Sequence, residues 1–482
     1  MASTNIDRTG YRSPLESRNA SKEMRAVWSE QRKFSTWRRI WLALAQSQRE
    51  LGLPVSQAQV DAIAAHLDDI DFDAAAEHEA RLRHDVMAHV HALGDVAPEA
   101  RPIIHFGATS QDVVCNADTL LLRDALALTQ RKLARVVDRF ATFATKYRAL
   151  PTLGFTHFQP AQPTTVGKRA TLWAQDFALA LEHCAFVANT LRLRGLRGAT
   201  GTQASYLGLF DGDAAKVEQL EMLFADKLGW PRSHMLSVCG QTYPRLVDAQ
   251  IVASLAVAAS AVHKCATDIR LLANRKEVEE PFETEQIGSS AMAYKRNPMR
   301  CERACGLARF VMGLVQDPLH THATQWLERT LDDSSNRRLV LPEAFLALDG
   351  ALDILANVAE GLVVWEAMIA ANLAAELPFM ASENILLAAT RAGADRQEAH
   401  ERIRTHSMAA ALEVKQHGRP NDLMQRLKGD SFFARVNLDA ALDPVSFIGR
   451  APEQVDRFVS TVADPIRVTH AATLGSTATL RV

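Results

Sequence analysis

Between Ile287 and Pro298 the chain gathers two hydroxyls (Ser289, Ser290), a phenol (Tyr294) and two cations (Lys295, Arg296). That inventory suits proton transfer beside an anion. The stretch cannot be a stable helix: Gly288 and the serines favour loop, and Pro298 biases Asn297 away from helical angles. The irregular segment spans 281–298, longer than most connections in a compact domain; loops of that length are functional lids or disordered. The plain alternative is a solvated surface loop.

Three further constellations carry chemistry. In Thr156–Thr165, Pro160 and Pro163 deny a helix, and Thr164 or Thr165 can cap the long helix that follows. His157 then sits on a stiff turn near a helix N-terminus, a rigid support for a general acid or base. A positive helix end disfavours imidazolium, so an acid role calls for a carboxylate, and Glu302 is the candidate. The run Leu82–His91 holds Arg83, His84, Asp85, His89 and His91. His84 and His91 could share a helix face but His89 does not join them, and there is no His-Glu-x-x-His, so no metal site is expected. In Leu327–Arg338, Asp332 to Ser335 could merely cap a helix beginning near Arg338. The alternative is an anion site of free N–H groups, the Ser334 hydroxyl, and Arg329 and Arg338 as bidentate partners. Polar turns at Thr200–Ser205 and Gly240–Tyr243 are weaker signals.

These groups must be positioned by helices, because strand alternation is scarce. Phe34, Trp37, Trp41 and Leu44 form one apolar stripe. Ser56 and Gln59 form a capping-box pattern, and a third helix is expected over 73–93, with Gly94 as its stop. Long apolar seams predict helices over 118–146, 165–194, 246–275 and 341–364. A 30-residue helix spans roughly 45 Å; helices this long and this apolar need neighbours on several sides, so oligomerisation is expected. Shorter, more charged segments follow Trp365. The expected organisation is an N-terminal helical domain (1–110), a central long-helix bundle (111–364) carrying the loop, and a C-terminal helical domain (365–482).

A net charge of −2 excludes a global basic field for nucleic acid, so anions must be held by local clusters. Six scattered cysteines without a Cys-x-x-Cys pair read as reduced thiols. Residues 1–8 lack the apolar core of a leader, and no uncharged apolar run reaches membrane-spanning length. A cytoplasmic location, without membrane contact, is the expectation. Nucleotide-binding glycine loops and the Gly-x-Ser-x-Gly elbow are absent from the sequence.

The Gly288–Pro298 run resembles the signature of the fumarase/aspartase superfamily, which forms fumarate by β-elimination. Within it the chain resembles the animal-like adenylosuccinate lyase family over nearly its whole length. The runs carrying that likeness are Tyr11–Leu15, Arg83–His91, Gly107–Ser110, Leu153–Gln162, Gly240–Tyr243 and Arg329–Ser334. The resemblance implies an all-α fold of three domains, with central helices of four subunits in one core and active sites shared between chains. It implies a purine nucleotide bearing a succinyl group as substrate, and no cofactor. By position it makes Ser289 the base and His157 the acid oriented by Glu302, with His84 beside it and Lys295 stabilising charge. Arg18, Arg83, Asp85, Thr109, Ser110, Gln241, Arg303, Arg329, Ser334 and Arg338 match substrate-binding positions. Two departures stand out: Ala293 where the signature usually has proline, and Asn19 where the animal-like family usually has tyrosine. The rival readings are another superfamily lyase, such as an argininosuccinate lyase or a fumarase, and a non-catalytic scaffold descended from a lyase. The cations of the phosphate-type set speak against the first, and the retained His157, Ser289, Lys295 and Glu302 against the second.

Overall fold

The computed structural model describes residues 9–475 and Leu480. The leader reading of residues 1–8 falls outside that range.

The apolar stripe lies on α1 (Glu30–Glu50), which Ser29 caps by accepting the Arg32 N–H at 3.1 Å. Trp37, Trp41 and Leu44 are buried in the main core. The Ser56–Gln59 capping box forms as expected.

The expected helix over 73–93 is instead two helices, α2 (Phe72–Leu82) and α3 (Asp85–Val96). Arg83 closes α2 in the left-handed region (φ 55°), and His84 turns extended to cap α3, its Nδ1 accepting the Met87 N–H at 3.4 Å. Gly94 does not stop the helix; it lies inside α3, where a Cβ would press on the Arg101 side chain at 3.1 Å.

Four long helices form the bundle: α4 (Ser110–Lys146), α5 (Val166–Thr190), α6 (Leu246–Asn274) and α8 (Asp333–Gly361), with α7 (Met299–Gly313) between α6 and α8. α4 starts eight residues earlier than expected and α8 also starts early, carrying Pro342 inside it. Between α4 and α5, Phe140 meets Trp173 edge-on and lies parallel to Phe177, with centroids 5.6 and 6.2 Å apart. At Gly167 a Cβ would lie 2.3 Å from the Ala144 carbonyl oxygen, so only glycine permits this approach of α5 to the end of α4. α6 is long and apolar enough by composition to cross a membrane. Its apolarity has another cause: Ile251, Val252, Leu255, Val262 and Ile269 are buried at the centre of the bundle.

Between α4 and α5 lies an antiparallel hairpin, β1 (Pro151–Thr156) and β2 (Gln159–Thr165). Its prolines are tolerated because a two-stranded ribbon consists of edges. A second small pairing joins β3 (Val278–Glu279), just before the irregular loop, to β4 (Val363–Val364), just after α8. A separate apolar cluster is built by Ala381–Ala441, while Val455, Phe458 and Ala463 return to the main core.

Candidate active site

The sharp α2–α3 break, the start of α4 and the start of α8 converge on one cavity of about 670 Å³. Nine of the fifteen residues singled out from the sequence line it: Arg83, His84, Asp85, Thr109, Ser110, Gln241, Arg329, Ser334 and Arg338.

Its charges are largely paired in advance. Arg338 donates to Asp85 at 2.6 Å, and Asp85 also accepts the Val86 N–H at 2.8 Å. Burial pushes the Asp85 carboxyl up, but Arg338 and that N–H outweigh it and hold it below the usual carboxylate range. Arg329 donates to Gln241 at 2.9 Å; Gln111, with its amide oxygen turned inward, accepts from Arg329 at 2.9 and 3.1 Å. Burial draws Arg329 below the ordinary guanidinium range, against the pull of Asp333. His84 Nδ1 accepts a backbone N–H, so in the neutral ring Nε2 carries the proton and faces Ser110 Oγ at 3.3 Å.

Of the two readings of Asp332–Ser335, capping of a helix near Arg338 does not occur. α8 begins at Asp333, and no side chain at its Asp332 N-cap accepts a hydrogen bond from the first turn. Asp333 is instead buried and binds Arg245 at 2.6 Å. The start of α8, with Ser334 and Ser335 in its first turn and Arg338 in its second, opens on the cavity. Such a terminus favours an anion.

The frame behind the cavity is one buried carboxylate. Asp112 is fully buried and accepts from Thr109 N–H (2.8 Å), Arg197 N–H (2.8 Å), Gly198 N–H (3.1 Å), Tyr206 Oη–H (3.1 Å) and the Arg194 guanidinium. Burial opposes the Arg194 cation, yet Asp112 raises it above the usual guanidinium range. Thr109-Ser110-Gln111-Asp112 is a capping-box pattern, the sequence signal that could have found this anchor. Sequence reasoning also missed Lys33, Gln111, Asp118, Arg245 and Arg337 on the cavity wall. They read as ordinary surface polar residues on helices and turns.

Six singled-out residues lie outside the cavity lining: Arg18, His157, Ser289, Lys295, Glu302 and Arg303. His157 and Phe158 form the two-residue tip of the hairpin, with φ 53° and 56°, the pairing of positive angles that tight hairpins need. His157 is exposed and makes no side-chain hydrogen bond or ion pair among the described residues, Glu302 included. The expected nearness to a helix end is corrected too. The Thr165 cap, which accepts the Lys168 N–H at 3.0 Å, is at the far end of β2, roughly 20 Å along the strand. The α5 terminus is thus too far along the ribbon to act on the imidazole.

The irregular loop forms a flap between β3 and α7. Ser289 Oγ accepts the Met292 N–H at 3.2 Å, and Met292 O accepts the Lys295 N–H at 3.0 Å, closing a turn over Ala293 and Tyr294. Asn297 Nδ2 donates to Gly288 O at 2.8 Å, and a Cβ on Gly288 would lie 2.1 Å from Lys295 O. Lys295 is exposed, without a side-chain partner among the described residues. Both ends of the flap are fastened by Glu280, which accepts the Arg300 and Cys301 N–H groups at 2.9 and 2.6 Å. Glu302 follows on the first turn of α7.

Near this base, burial and then repulsion by Arg18 and Arg300 pull Arg303 below the ordinary guanidinium range, so Arg18 and Arg303 share one cationic patch. Arg18 is on the short helical segment Leu15–Asn19. That segment lies so close to α8 that a Cβ on Gly350 would meet Asn19 O at 2.7 Å.

The six cysteines are unpaired; all but Cys239 are buried.

Residues 16–313 match the family described as Lyase. The same helical bundle occurs in a 3-carboxy-cis,cis-muconate lactonizing enzyme from Pseudomonas putida, with TM-score 0.82 and 25% identity over 94% of this chain and 99% of that one. It also occurs in a fumarate lyase from Mesorhizobium sp. BNC1, with TM-score 0.77 and 24% identity over 94% and 100%. Fold and family match thus define a helical lyase. The finer assignment rests on residues 378–458, which match the family described as Adenylosuccinate lyase C-terminus. Adenylosuccinate lyases of Saccharomyces cerevisiae and Schizosaccharomyces pombe are 51% and 50% identical, each over 94% of this chain and 95% of the relative. The chain belongs to the adenylosuccinate lyase family.

Proposed function

We propose that this lyase splits adenylosuccinate into AMP and fumarate, and acts likewise on the succinyl aminoimidazole-carboxamide ribotide of purine synthesis. The observation that carries the reading is the cavity at the start of α8. It couples a helix terminus free of capping side chains to Ser334, Arg329 and Arg338, a phosphate-sized anion site beside Thr109, Ser110, His84 and Gln241.

In this reading Ser289, as its alkoxide, takes the proton from the succinyl carbon next to a carboxylate. The electron pair left behind spreads into that carboxylate and then expels the nitrogen, forming the double bond of fumarate. His157 hands its proton to the departing nitrogen, which becomes the amino group of AMP. The Met292 N–H already directed at Ser289 Oγ supports the alkoxide, and Lys295 adds a cation once the flap closes and water leaves. The same charges favour the doubly negative aci-carboxylate over the ground state. Glu302 orients His157, and His84 sits beside it. Arg18, Arg83, Asp85 and Arg303 complete the substrate contacts.

We further propose a cytoplasmic homotetramer whose sites are shared between chains. Two observations support sharing. His157 and the flap stand outside the cavity lining of their own chain. On α5, Leu172, Leu179 and Phe186 repeat every seven residues and are 50%, 53% and 64% exposed, an apolar stripe left without a partner.

The direct test is the ultraviolet spectrum of purified protein mixed with adenylosuccinate, argininosuccinate or malate. Change with the first alone is expected; change only with another substrate overturns the assignment. For sharing, inactive Ser289→Ala and His157→Ala proteins are mixed under exchange. Partial recovery of activity is expected, and none in verified mixed tetramers removes the shared site.

A further inference from the structure

Lys33 is on α1, one residue before the stripe that buries Trp37 and Trp41, and reads in sequence as a solvated helix cation. The fold turns it onto the wall of the cavity. Its Nζ rests 5.0 Å from the Phe34 ring centroid and 5.1 Å from that of Trp37. Beneath, the His89 ring stacks on Phe34 at 3.6 Å. Nothing in this shelf accepts a hydrogen bond from an ammonium in the way an oxygen does.

Of the three carboxylates that act on it, Asp85 and Asp118 are already engaged, and Glu30 on its own helix acts through space. Asp85 holds Arg338 at 2.6 Å and Asp118 holds Arg337 at 3.0 Å. Asp118 and Asp85 act on Lys33 through space, but among the described residues Lys33 makes neither a hydrogen bond nor an ion pair. A half-buried ammonium with three N–H donors and no oxygen acceptor is costly unless a ligand supplies one. Aromatic faces compensate only in part. Its orientation is held by the shelf while its donors remain free. Burial, then repulsion by Arg338, draws it below the ordinary ammonium range, the direction expected of a cation awaiting an anion.

We propose that Lys33 is a further substrate-binding residue, donating to the phosphate that Ser334, Arg329 and Arg338 are arranged to receive. The assignment rests on the reading of the cavity given under Proposed function and adds a residue to it. When phosphate enters, Lys33 supplies the charge on the α1 side, facing the α8 terminus. The nucleotide is thereby clamped from two helices rather than one.

Equilibrium binding of AMP and of adenosine to the whole protein, compared between wild type and Lys33→Met, tests this. The loss of one charge-assisted contact should weaken AMP by about tenfold or more and leave adenosine unchanged. Unchanged AMP affinity, or equal weakening of both ligands, overturns the proposal. A second measurement avoids the variant. In unsubstituted protein, AMP but not adenosine should shield Lys33 from an amine-reactive acetylating reagent, read by peptide mass spectrometry. Equal shielding by both, or by neither, is the overturning result. If wild-type protein neither binds AMP nor turns over adenylosuccinate, the underlying functional reading fails instead, which separates the two failures.

Discussion

The cavity and the flap solve opposite problems. In the cavity, most charges are neutralised before any ligand arrives, Lys33 excepted: Arg338 by Asp85, Arg337 by Asp118 and Asp248, Arg245 by Asp333, and the frame by Asp112. The flap and the hairpin tip keep Ser289, Lys295 and His157 on irregular backbone or a two-residue turn, exposed or half-buried and sparsely bonded. In the proposed reading, recognition is built into helix ends, while the groups proposed to react sit on a loop and a hairpin tip outside the cavity lining of their own chain. The lesson is that stability and turnover should respond to different substitutions here.

The largest separation is expected at Ser289. Ser289→Ala should lower kcat by at least about 10³-fold, in line with loss of a proton-transferring group, while its thermal midpoint and AMP affinity match wild type. A large drop in midpoint would erase the distinction between the two regions. The reverse pattern is expected at Asp112. Asp112→Ala strands a buried Arg194 and should cost on the order of 3–5 kcal/mol in urea unfolding. Retained wild-type stability there would mean that the frame does not depend on that carboxylate.

Acid should attack the cavity side before the flap. Burial lowers His89 to about 4, and lowers His105 to about 4, where its Nδ1 accepts the Trp41 indole N–H at 3.1 Å. The unfolded chain, with histidines near the usual 6.5, binds more protons between those values. Stability is therefore full above about pH 6.5 and falls as pH drops toward 4, by roughly 2–3 kcal/mol for the buried His89. Urea titrations from pH 7 to 4 measure this. His89→Phe, which keeps the stack on Phe34, should flatten part of the slope.

The smallest effect is expected within the flap. Ala293 occupies the second position of the Met292–Lys295 turn, and its N–H donates no hydrogen bond among the described residues. Proline presets that position, so Ala293→Pro should stiffen the loop by about 0.4–1 kcal/mol. A rise in kcat/KM of roughly two- to fivefold is expected if closure limits the rate; a fall would show that the wild-type turn needs its freedom.

The bundle was legible in the sequence because its signal is periodic and long. α6 runs Leu246–Asn274, within a residue of expectation. The break at Arg83 was not, because a left-handed arginine carries no propensity signal comparable to glycine. The hairpin bearing His157 was hidden for a related reason. Its turn is His-Phe rather than Asn-Gly, and its prolines read as loop. The nine cavity residues could be named through family resemblance, but their meeting in one place depends on helix ends far apart in sequence. Lys33 was invisible because nothing local separates a shelved ammonium from a solvated one.

The single carboxylate that ties both ends of the flap has a consequence for how this enzyme can change. With entry and exit pinned together by Glu280, the intervening stretch is a cassette whose length adds only slowly to the entropy of closing the loop. Residues 284–295 could be exchanged as one unit between related chains with little strain passed to the surrounding helices.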